Sequence, residues 1–232
     1  MSNIIKIYGL RTSGSNWLQW LLEHNVEDVV VLRNQLAWKH GNPTNTIDWS
    51  GEIIHWDDKK TLGSEYPQVF QSWKTEKLIN GKTIIDMKDE VESKFNSGNL
   101  INCFIVKHPY TWMDSRINKR KKDLETELND WNQRIKSYFE FDYPSKVIVS
   151  YEKLNQNPQS EIQKIANKFN LKMSESFKDT ENNLTHGYSI NGKRKTLNLD
   201  FENEFRLKFT KEQLLKIDSL LDNESLKLYN SL

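Results

Sequence analysis

Short apolar runs rich in β-branched residues alternate along this chain with segments of helical periodicity. The runs lie at Ile4–Tyr8, Val29–Leu32, Thr83–Met87, Ile101–Val106 and Lys146–Ser150. The helical segments lie at Asn16–Asn25, Asp89–Phe95, Pro109–Asn118, Leu124–Phe139, Ser160–Phe169 and Lys211–Tyr229. Strands that alternate with helices form βαβ units, in which the strands are parallel and the helices cover them. We therefore predict an α/β fold with a mainly parallel central sheet flanked by helices, as one domain over residues 1–232.

Composition excludes several classes of protein. The chain has 33 Lys and Arg against 32 Asp and Glu, a formal net charge of +1, so its whole surface is not tuned to nucleic acid or to an anionic membrane. No apolar run reaches the ~18 residues of a membrane span, and no signal peptide precedes the first strand. His and Cys pairs at zinc spacing are absent from the sequence. We expect a cytoplasmic protein with no metal, nucleic-acid or membrane partner, and with its one cysteine, Cys103, in the core.

A glycine-rich segment, YGLRTSGSNW from Tyr8 to Trp17, joins the first predicted strand to the first predicted helix. Gly9 and Gly14 have the spacing of the glycines in nucleotide-binding P-loops, which surround phosphate with backbone N–H groups and a helix N-terminus. The ATP-binding version ends in G-K-[ST], whereas this loop continues from Gly14 into Ser15 and Asn16. The pattern predicts an anion site that lacks the lysine and the magnesium-binding hydroxyl of ATP sites.

A second anion site is indicated where the apolar run LINCFIV ends at Lys107. Pro109 suits the first turn of a helix, and Ser115 lies two turns further along it. The lysine and the serine can therefore converge on one anion, although a solvated lysine and an exposed serine fit the same pattern.

Three motifs in order make the chain resemble the sulfotransferases that use 3′-phosphoadenosine-5′-phosphosulfate (PAPS). RTSGSNW is similar to the family's [RK]-S-G-[TS]-[TN]-[WYL] loop, and Lys107 and Ser115 keep the spacing of its Arg and Ser that hold the 3′-phosphate. VIVSYEKLNQNPQSEIQKIANKFNL resembles the family's YEDL strand and the helix that follows it. The resemblance implies a P-loop NTPase-like sulfotransferase fold, and transfer of a sulfuryl group from PAPS to a hydroxyl or amine of a small-molecule or carbohydrate acceptor.

The resemblance also assigns binding residues. It places the 5′-phosphosulfate on the loop and the 3′-phosphate on the second site, with further residues at the adenine pocket and in a late basic motif that closes over the nucleotide. The nucleotide-binding residues that it implies are Arg11, Thr12, Ser13, Gly14, Ser15, Asn16, Lys107, Ser115, Tyr151, Lys193, Arg194 and Lys195. The family's basic residue directly precedes Ser-Gly. Here Thr12 takes that position and Arg11 lies one residue earlier, so Arg11 is expected to stabilise charge along a different backbone path.

A general base is still needed to take the proton of the acceptor. We predict that His40 is this base, because its loop follows the second strand and should lie beside the glycine-rich loop. Lys39 would assist by binding the sulfuryl oxygens, and His55 and Asp86 are the alternatives for the base. His108 is expected either to contact nucleotide or to cap the turn.

Two long segments, Asn34–Glu65 and Asn182–Phe205, interrupt the alternation. Loops of this length are commonly functional lids or disordered. The first carries Trp38, Trp49 and Trp56, which suit either an acceptor wall or core packing. Two other functions fit the motifs: a magnesium- and ATP-dependent small-molecule kinase, and an inactive nucleotide-binding protein of the same fold.

Overall fold

The computed structural model describes residues 2–32, 36, 39–47, 86–180, 182–185, 188–193 and 196–232. For residues 182–185 and 188–193 it describes the backbone alone. The strands are β1 Asn3–Gly9, β2 Val29–Leu32, β3 Ile101–Val106, β4 Lys146–Ser150, β5 Asn182–Thr185 and β6 Tyr188–Lys193. The helices are α1 Ser15–Asn25, α2 Lys88–Asn96, α3 Pro109–Met113, α4 Leu124–Glu140, α5 Tyr151–Gln156, α6 Pro158–Lys168, α7 Phe201–Arg206, α8 Lys211–Leu220 and α9 Asn223–Asn230.

The predicted fold class is confirmed. Strands β1 to β4 form a fully parallel sheet in the order β2-β1-β3-β4, and helices cover both of its faces. The chain leaves β1 toward β2 on one side and later adds β3 on the other side of β1. The sheet therefore has a topological switch point between β1 and β3, which is where open α/β sheets bind ligands.

Side chains of the central strands alternate between two cores. Cys103 and Ile105 of β3 face one core with α1 and α6, whereas Phe104 and Val106 face another with α4, α8 and α9. Cys103 is fully buried, as the sequence predicts. The period of two in a strand explains how one continuous apolar run serves both faces.

Several predicted elements differ from the observed ones. The segment predicted as one helix over Lys211–Tyr229 is two helices, because the Asp222 side chain accepts a hydrogen bond from the Ser225 N–H and begins α9. The helix predicted over Pro109–Asn118 stops at Met113 and continues as one π-helical stretch, Asp114–Asn118.

Other differences concern the long segments and the third predicted strand. The segment Asn182–Phe205 contains the antiparallel hairpin of β5 and β6 and the start of α7. Of the strand predicted at Thr83–Met87, Asp86 and Met87 form a turn before α2, and residues 83–85 lie outside the described part of the chain. Within the described ranges, no helix is long and apolar enough to cross a membrane.

Candidate functional site

The glycine-rich loop connects the end of β1 to α1 at the switch point. Gly14 precedes α1 with a φ of 88°, and Thr12 has a φ of 65°, so two residues in the left-handed region turn the chain. The Ser13 N–H donates to the Leu10 carbonyl oxygen over 3.0 Å and closes the turn. The turn leads directly into α1, an 11-residue helix with no acidic residue in its first turn, and the N-terminus of such a helix favours an anion.

Two glycines of this loop are required by close packing. A Cβ on Gly14 would lie 2.8 Å from Cδ2 of Tyr151, and a Cβ on Gly9 would lie 2.6 Å from Cγ2 of Ile105. Glycine is needed at both positions for close approach, and at Gly14 also for its left-handed backbone conformation.

Hydroxyl groups in the same loop lack partners. Thr12 Oγ1 and Ser13 Oγ are buried and accept or donate no hydrogen bond within the described parts of the chain. Unpaired buried polar atoms are costly, and they occur where a ligand or water completes the site.

The segment after β2 returns to the end of β1. The Gly9 N–H donates to the Lys39 carbonyl oxygen over 2.8 Å, and Nδ1 of His40 lies 2.7 Å from the Gly9 carbonyl oxygen. The buried Lys39 ammonium donates to Oδ1 of Asn16. The structure therefore brings Lys39, His40 and Asn16 together at the glycine-rich loop.

His40 has an electrostatic environment that keeps its ring neutral. Burial, together with the nearby Lys39 ammonium, lowers the pKa of His40 to about 3. In the neutral ring Nδ1–H donates to the Gly9 carbonyl, which can only accept, and Nε2 then carries the lone pair. Nε2 is thus the nitrogen that could accept a proton.

The second predicted site forms at the end of β3. Lys107 Nζ donates to Oγ of Ser115 over 3.1 Å and lies 4.5 Å from the centre of the Tyr151 ring. Tyr151 follows β4 and is the same ring that packs against Gly14. A single aromatic ring therefore stands between the glycine-rich loop and Lys107.

Lys107 is 6% exposed, and its charge is correspondingly costly. Burial lowers the pKa of its ammonium to about 8, while the Glu152 carboxylate opposes that decrease. A lysine held in this way is a cation with few water molecules around it, which strengthens its interaction with a bound anion.

Supporting residues that the motifs did not indicate surround these groups. Trp112 donates from its indole N–H to the Arg11 carbonyl oxygen over 2.7 Å. The buried Arg116 makes two hydrogen bonds of 2.7 and 2.6 Å to the Glu127 carboxylate of α4. The only sequence signal for Arg116 was its position directly after Ser115, and the Arg11 side chain itself is exposed.

Of the two roles expected of His108, a side-chain cap is not observed, and contact with nucleotide stays a prediction. His108 precedes α3, but its side chain makes no capping hydrogen bond. Instead the ring borders a polar cleft of about 250 Å³ on the side of α7, α8 and α9, 3.6 Å from the Glu202 carboxylate. The ring lies among the aromatic rings of Tyr110, Phe201 and Tyr229.

Some predicted site residues cannot be placed. His55, Arg194, Lys195 and the tryptophans at 38, 49 and 56 lie outside the described residues, and Lys193 is described as the last backbone position of β6. Asp86 is exposed in the turn before α2. Among the residues that the structure describes, no group of three His, Cys, Asp or Glu side chains could hold a metal ion.

This chain is similar in fold to a protein of known structure. The sulfotransferase domain of the olefin synthase from Synechococcus PCC 7002 matches with a TM-score of 0.50 and 12% identity, over 100% of this chain and 94% of that chain. No protein-family model matches the sequence, and no curated protein matches it. The chain therefore has a sulfotransferase-like fold.

Proposed function

We propose that this protein is a sulfotransferase that binds PAPS and transfers its sulfuryl group to a hydroxyl or amine of a small-molecule or carbohydrate acceptor. The observation that carries the proposal is the arrangement around Tyr151. Its ring packs against Gly14 of the loop, and Lys107 Nζ lies 4.5 Å from its centre. The two proposed anion sites come from distant parts of the sequence, and their residues are neighbours at the carboxyl ends of the strands, which supports binding of a nucleotide with phosphates at both its 5′ and 3′ positions.

In this proposal the loop binds the 5′ end of the nucleotide. The backbone of Thr12 to Asn16 donates hydrogen bonds to the 5′-phosphate, and the side chains of Ser15 and Asn16 add to them. The unpaired hydroxyls of Thr12 and Ser13 fit such an anion.

The 3′-phosphate is assigned to Lys107 and Ser115, and the adenine to the pocket beside Tyr151. Lys193 and Arg194 are proposed to close over the nucleotide. The buried ammonium and the Ser115 hydroxyl lie 3.1 Å apart and suit one phosphate group, to which the hydroxyl would donate in place of the Thr111 carbonyl oxygen.

PAPS supplies an activated sulfuryl group whose transfer leaves adenosine 3′,5′-bisphosphate. Attacking and leaving oxygens lie in line in such a transfer, so the protein contributes mainly by positioning groups and stabilising charge. Lys39 beside Asn16 is assigned to the sulfuryl oxygens, and Arg11 to the bridging and terminal oxygens.

His40 is proposed as the general base. Its Nδ1–H bond to the Gly9 carbonyl fixes the ring, and Nε2 takes the proton of the acceptor hydroxyl or amine. Burial is the main cause of the low pKa of His40, and the anionic nucleotide would offset the smaller effect of the Lys39 ammonium and so raise that pKa.

Calorimetric titration tests the proposal at the level of binding. We expect adenosine 3′,5′-bisphosphate to bind equally well with Mg²⁺ and with EDTA, and PAPS with a labelled sulfuryl group to yield a labelled acceptor in a screen of sugars and phenols. Binding of ATP that requires Mg²⁺, without binding of the bisphosphate, would favour the kinase instead. Bisphosphate binding without any transfer would favour the inactive nucleotide-binding protein.

We propose further that the chain functions in the cytoplasm as one domain over residues 1–232, without nucleic-acid or membrane partners. The near balance of charges supports this, because no excess of cations is available for a polyanionic surface. Retention of the labelled protein by vesicles of anionic lipid or by duplex DNA at physiological salt would contradict it.

A further inference from the structure

Glu152 is a buried carboxylate to which the proposed reaction gives no role. It is 2% exposed and lies at the start of α5, directly after Tyr151. Its Oε1 accepts the backbone N–H of His108 over 3.1 Å, and its Oε2 accepts the Tyr229 hydroxyl over 2.6 Å and the Ser150 hydroxyl over 3.3 Å. A carboxylate with this many donors is stabilised in its charged form.

The peptide unit between Lys107 and His108 is held at both of its polar groups. Its N–H donates to Glu152, and its carbonyl oxygen accepts the indole N–H of Trp131 over 2.8 Å. This peptide lies one residue beyond Val106, the last residue of β3. Side chains from α4 and α5 therefore fix the backbone position of Lys107.

Charges around Lys107 also depend on Glu152. Burial lowers the pKa of Lys107 to about 8; the Glu152 carboxylate and Asp114 favour its charged form, while Lys119 and Lys208 disfavour it. Among the described ion pairs none joins Glu152 to Lys107 directly, so the carboxylate acts through space. Burial raises the pKa of Glu152, and the Tyr229 hydroxyl opposes that increase.

We propose that Glu152 and Tyr229 are positioning residues for Lys107: the carboxylate fixes the Lys107–His108 peptide and keeps the ammonium charged, and the phenol from the last helix keeps the carboxylate charged. The inference rests on the proposed function in assigning a nucleotide 3′-phosphate to Lys107. It adds that α9 controls the affinity of the Lys107 site for phosphate, although in the proposal α9 contributes no residue that binds phosphate.

The first test compares two nucleotides that differ in the 3′-phosphate. Adenosine 3′,5′-bisphosphate and adenosine 5′-monophosphate are titrated into the wild-type protein and into Glu152→Gln across the alkaline range. The preference for the bisphosphate should decline as the pH rises through about 8 in the wild type, because Lys107 loses its proton there. In Glu152→Gln the same decline should occur at lower pH, because the carboxylate no longer favours the charged ammonium. A shift of about one pH unit would make the preference at about pH 8 about fivefold smaller.

A second test reads Lys107 without any nucleotide. Trace labelling with acetic anhydride, followed by mass spectrometry of the Lys107 peptide, reports the neutral fraction of that amine. A pKa one unit lower would make Lys107 of Glu152→Gln label about fivefold faster than wild type at about pH 7.

Tyrosine variants separate the proposed role from simple packing. Tyr229→Phe keeps the ring and removes the hydroxyl that bonds Glu152, so we expect a shift in the same direction and of smaller size. Tyr138→Phe is the matched control, since the Tyr138 hydroxyl is buried without a hydrogen-bond partner in the described chain. It should leave both readouts unchanged.

The outcomes distinguish the inference from the proposed function. Equal labelling and equal pH dependence in wild type, Glu152→Gln and Tyr229→Phe would overturn the inference, whatever the nucleotide does. A wild-type protein that binds neither nucleotide would overturn the proposed function, and labelling would still decide the role of Glu152. Should Glu152→Gln not fold, Tyr229→Phe carries the same comparison.

Discussion

A buried lysine at the end of a strand, such as Lys107, is uncommon, since burial of an ammonium is unfavourable unless neighbouring groups compensate its charge. Within the protein it has the Ser115 hydroxyl, the Tyr151 ring and the field of Glu152. These contacts leave donor capacity on Nζ, because an ammonium has three N–H groups. An incoming phosphate would therefore gain a desolvated cation that the fold has already positioned.

We expect Lys107→Ala to weaken binding of adenosine 3′,5′-bisphosphate by roughly 1.5–3 kcal/mol, since a charge-assisted hydrogen bond is lost. Calorimetry measures the change, and adenosine 5′-monophosphate should bind almost as before. Lys164→Ala is the control, because Lys164 is an exposed cation on α6 paired with Glu161. Unchanged affinity for the bisphosphate in Lys107→Ala would remove this lysine from the site.

For His40 the prediction concerns turnover rather than binding. His40→Ala should lower the rate of sulfuryl transfer by about 10²–10⁴, the usual contribution of a general base, while the affinity for adenosine 3′,5′-bisphosphate changes little. His24→Ala is the matched control, since His24 stacks on Trp20 and bonds its carbonyl oxygen over 2.8 Å within α1. Full activity of His40→Ala would transfer the role to His55 or Asp86.

At the scale of elements, the glycine-rich loop depends on one backbone conformation. Gly14 combines a φ of 88° with a neighbouring ring that leaves no room for a Cβ. Sequence spacing indicated this loop, but the reason for its glycine at 14 is a contact with Tyr151, which lies more than a hundred residues further along the chain.

Gly14→Ala should therefore lose both stability and nucleotide affinity. The left-handed conformation costs a residue with a Cβ about 1–2 kcal/mol, and the Tyr151 ring must also move. Gly98→Ala is a matched control, because Gly98 has a φ of 72° and a Cβ there would lie 3.1 Å from Pro144. Gly98 precedes β3 at the opposite edge of the sheet, so its variant should lose stability in urea denaturation and keep its affinity. Equal losses of affinity in both variants would contradict the assignment.

The switch point of the whole sheet explains why residues distant in sequence meet. Strands β1, β3 and β4 are parallel neighbours, so their carboxyl ends lie side by side. Gly9, Lys107 and Tyr151 lie at these ends. The last helix returns to these ends, where Tyr229 bonds Glu152. Folding stability and the proposed site are therefore linked through one buried cluster.

That link predicts a pH dependence of global stability. Burial lowers the pKa of His108 to about 4, below the 6.5 of an unfolded chain, so between these values the unfolded state binds the extra proton. The free energy of unfolding should therefore fall as the pH falls, with this one group contributing up to about 1.4 kcal/mol per pH unit. In His108→Phe, which suits the surrounding aromatic rings, urea denaturation should show a slope smaller by that amount. An unchanged slope would mean that His108 takes up its proton equally in both states.

Local patterns were sufficient for the fold class and for the four strands of the parallel sheet. Val29–Leu32, Ile101–Val106 and Lys146–Ser150 were predicted with the bounds that the structure gives, because continuous apolar β-branched runs are typical of strands buried on both faces. The break between α8 and α9 at Asp222 was not predicted, since sequence alone does not distinguish a capping carboxylate from other polar residues within a helical pattern. The spacing of Lys107 and Ser115 in the sequence also predicted that their side chains converge, and the two side chains are in contact.

The sequence by itself determined that strands and helices alternate and that a glycine-rich turn follows the first strand, because both depend on short-range periodicity and on backbone freedom. Only the tertiary structure decided that Tyr151 lies between Gly14 and Lys107, and that Glu152 and Tyr229 hold the Lys107–His108 peptide. These contacts depend on strand order and on where the last helix packs. Strand order follows from the packing of the whole core, and no local sequence pattern encodes that packing.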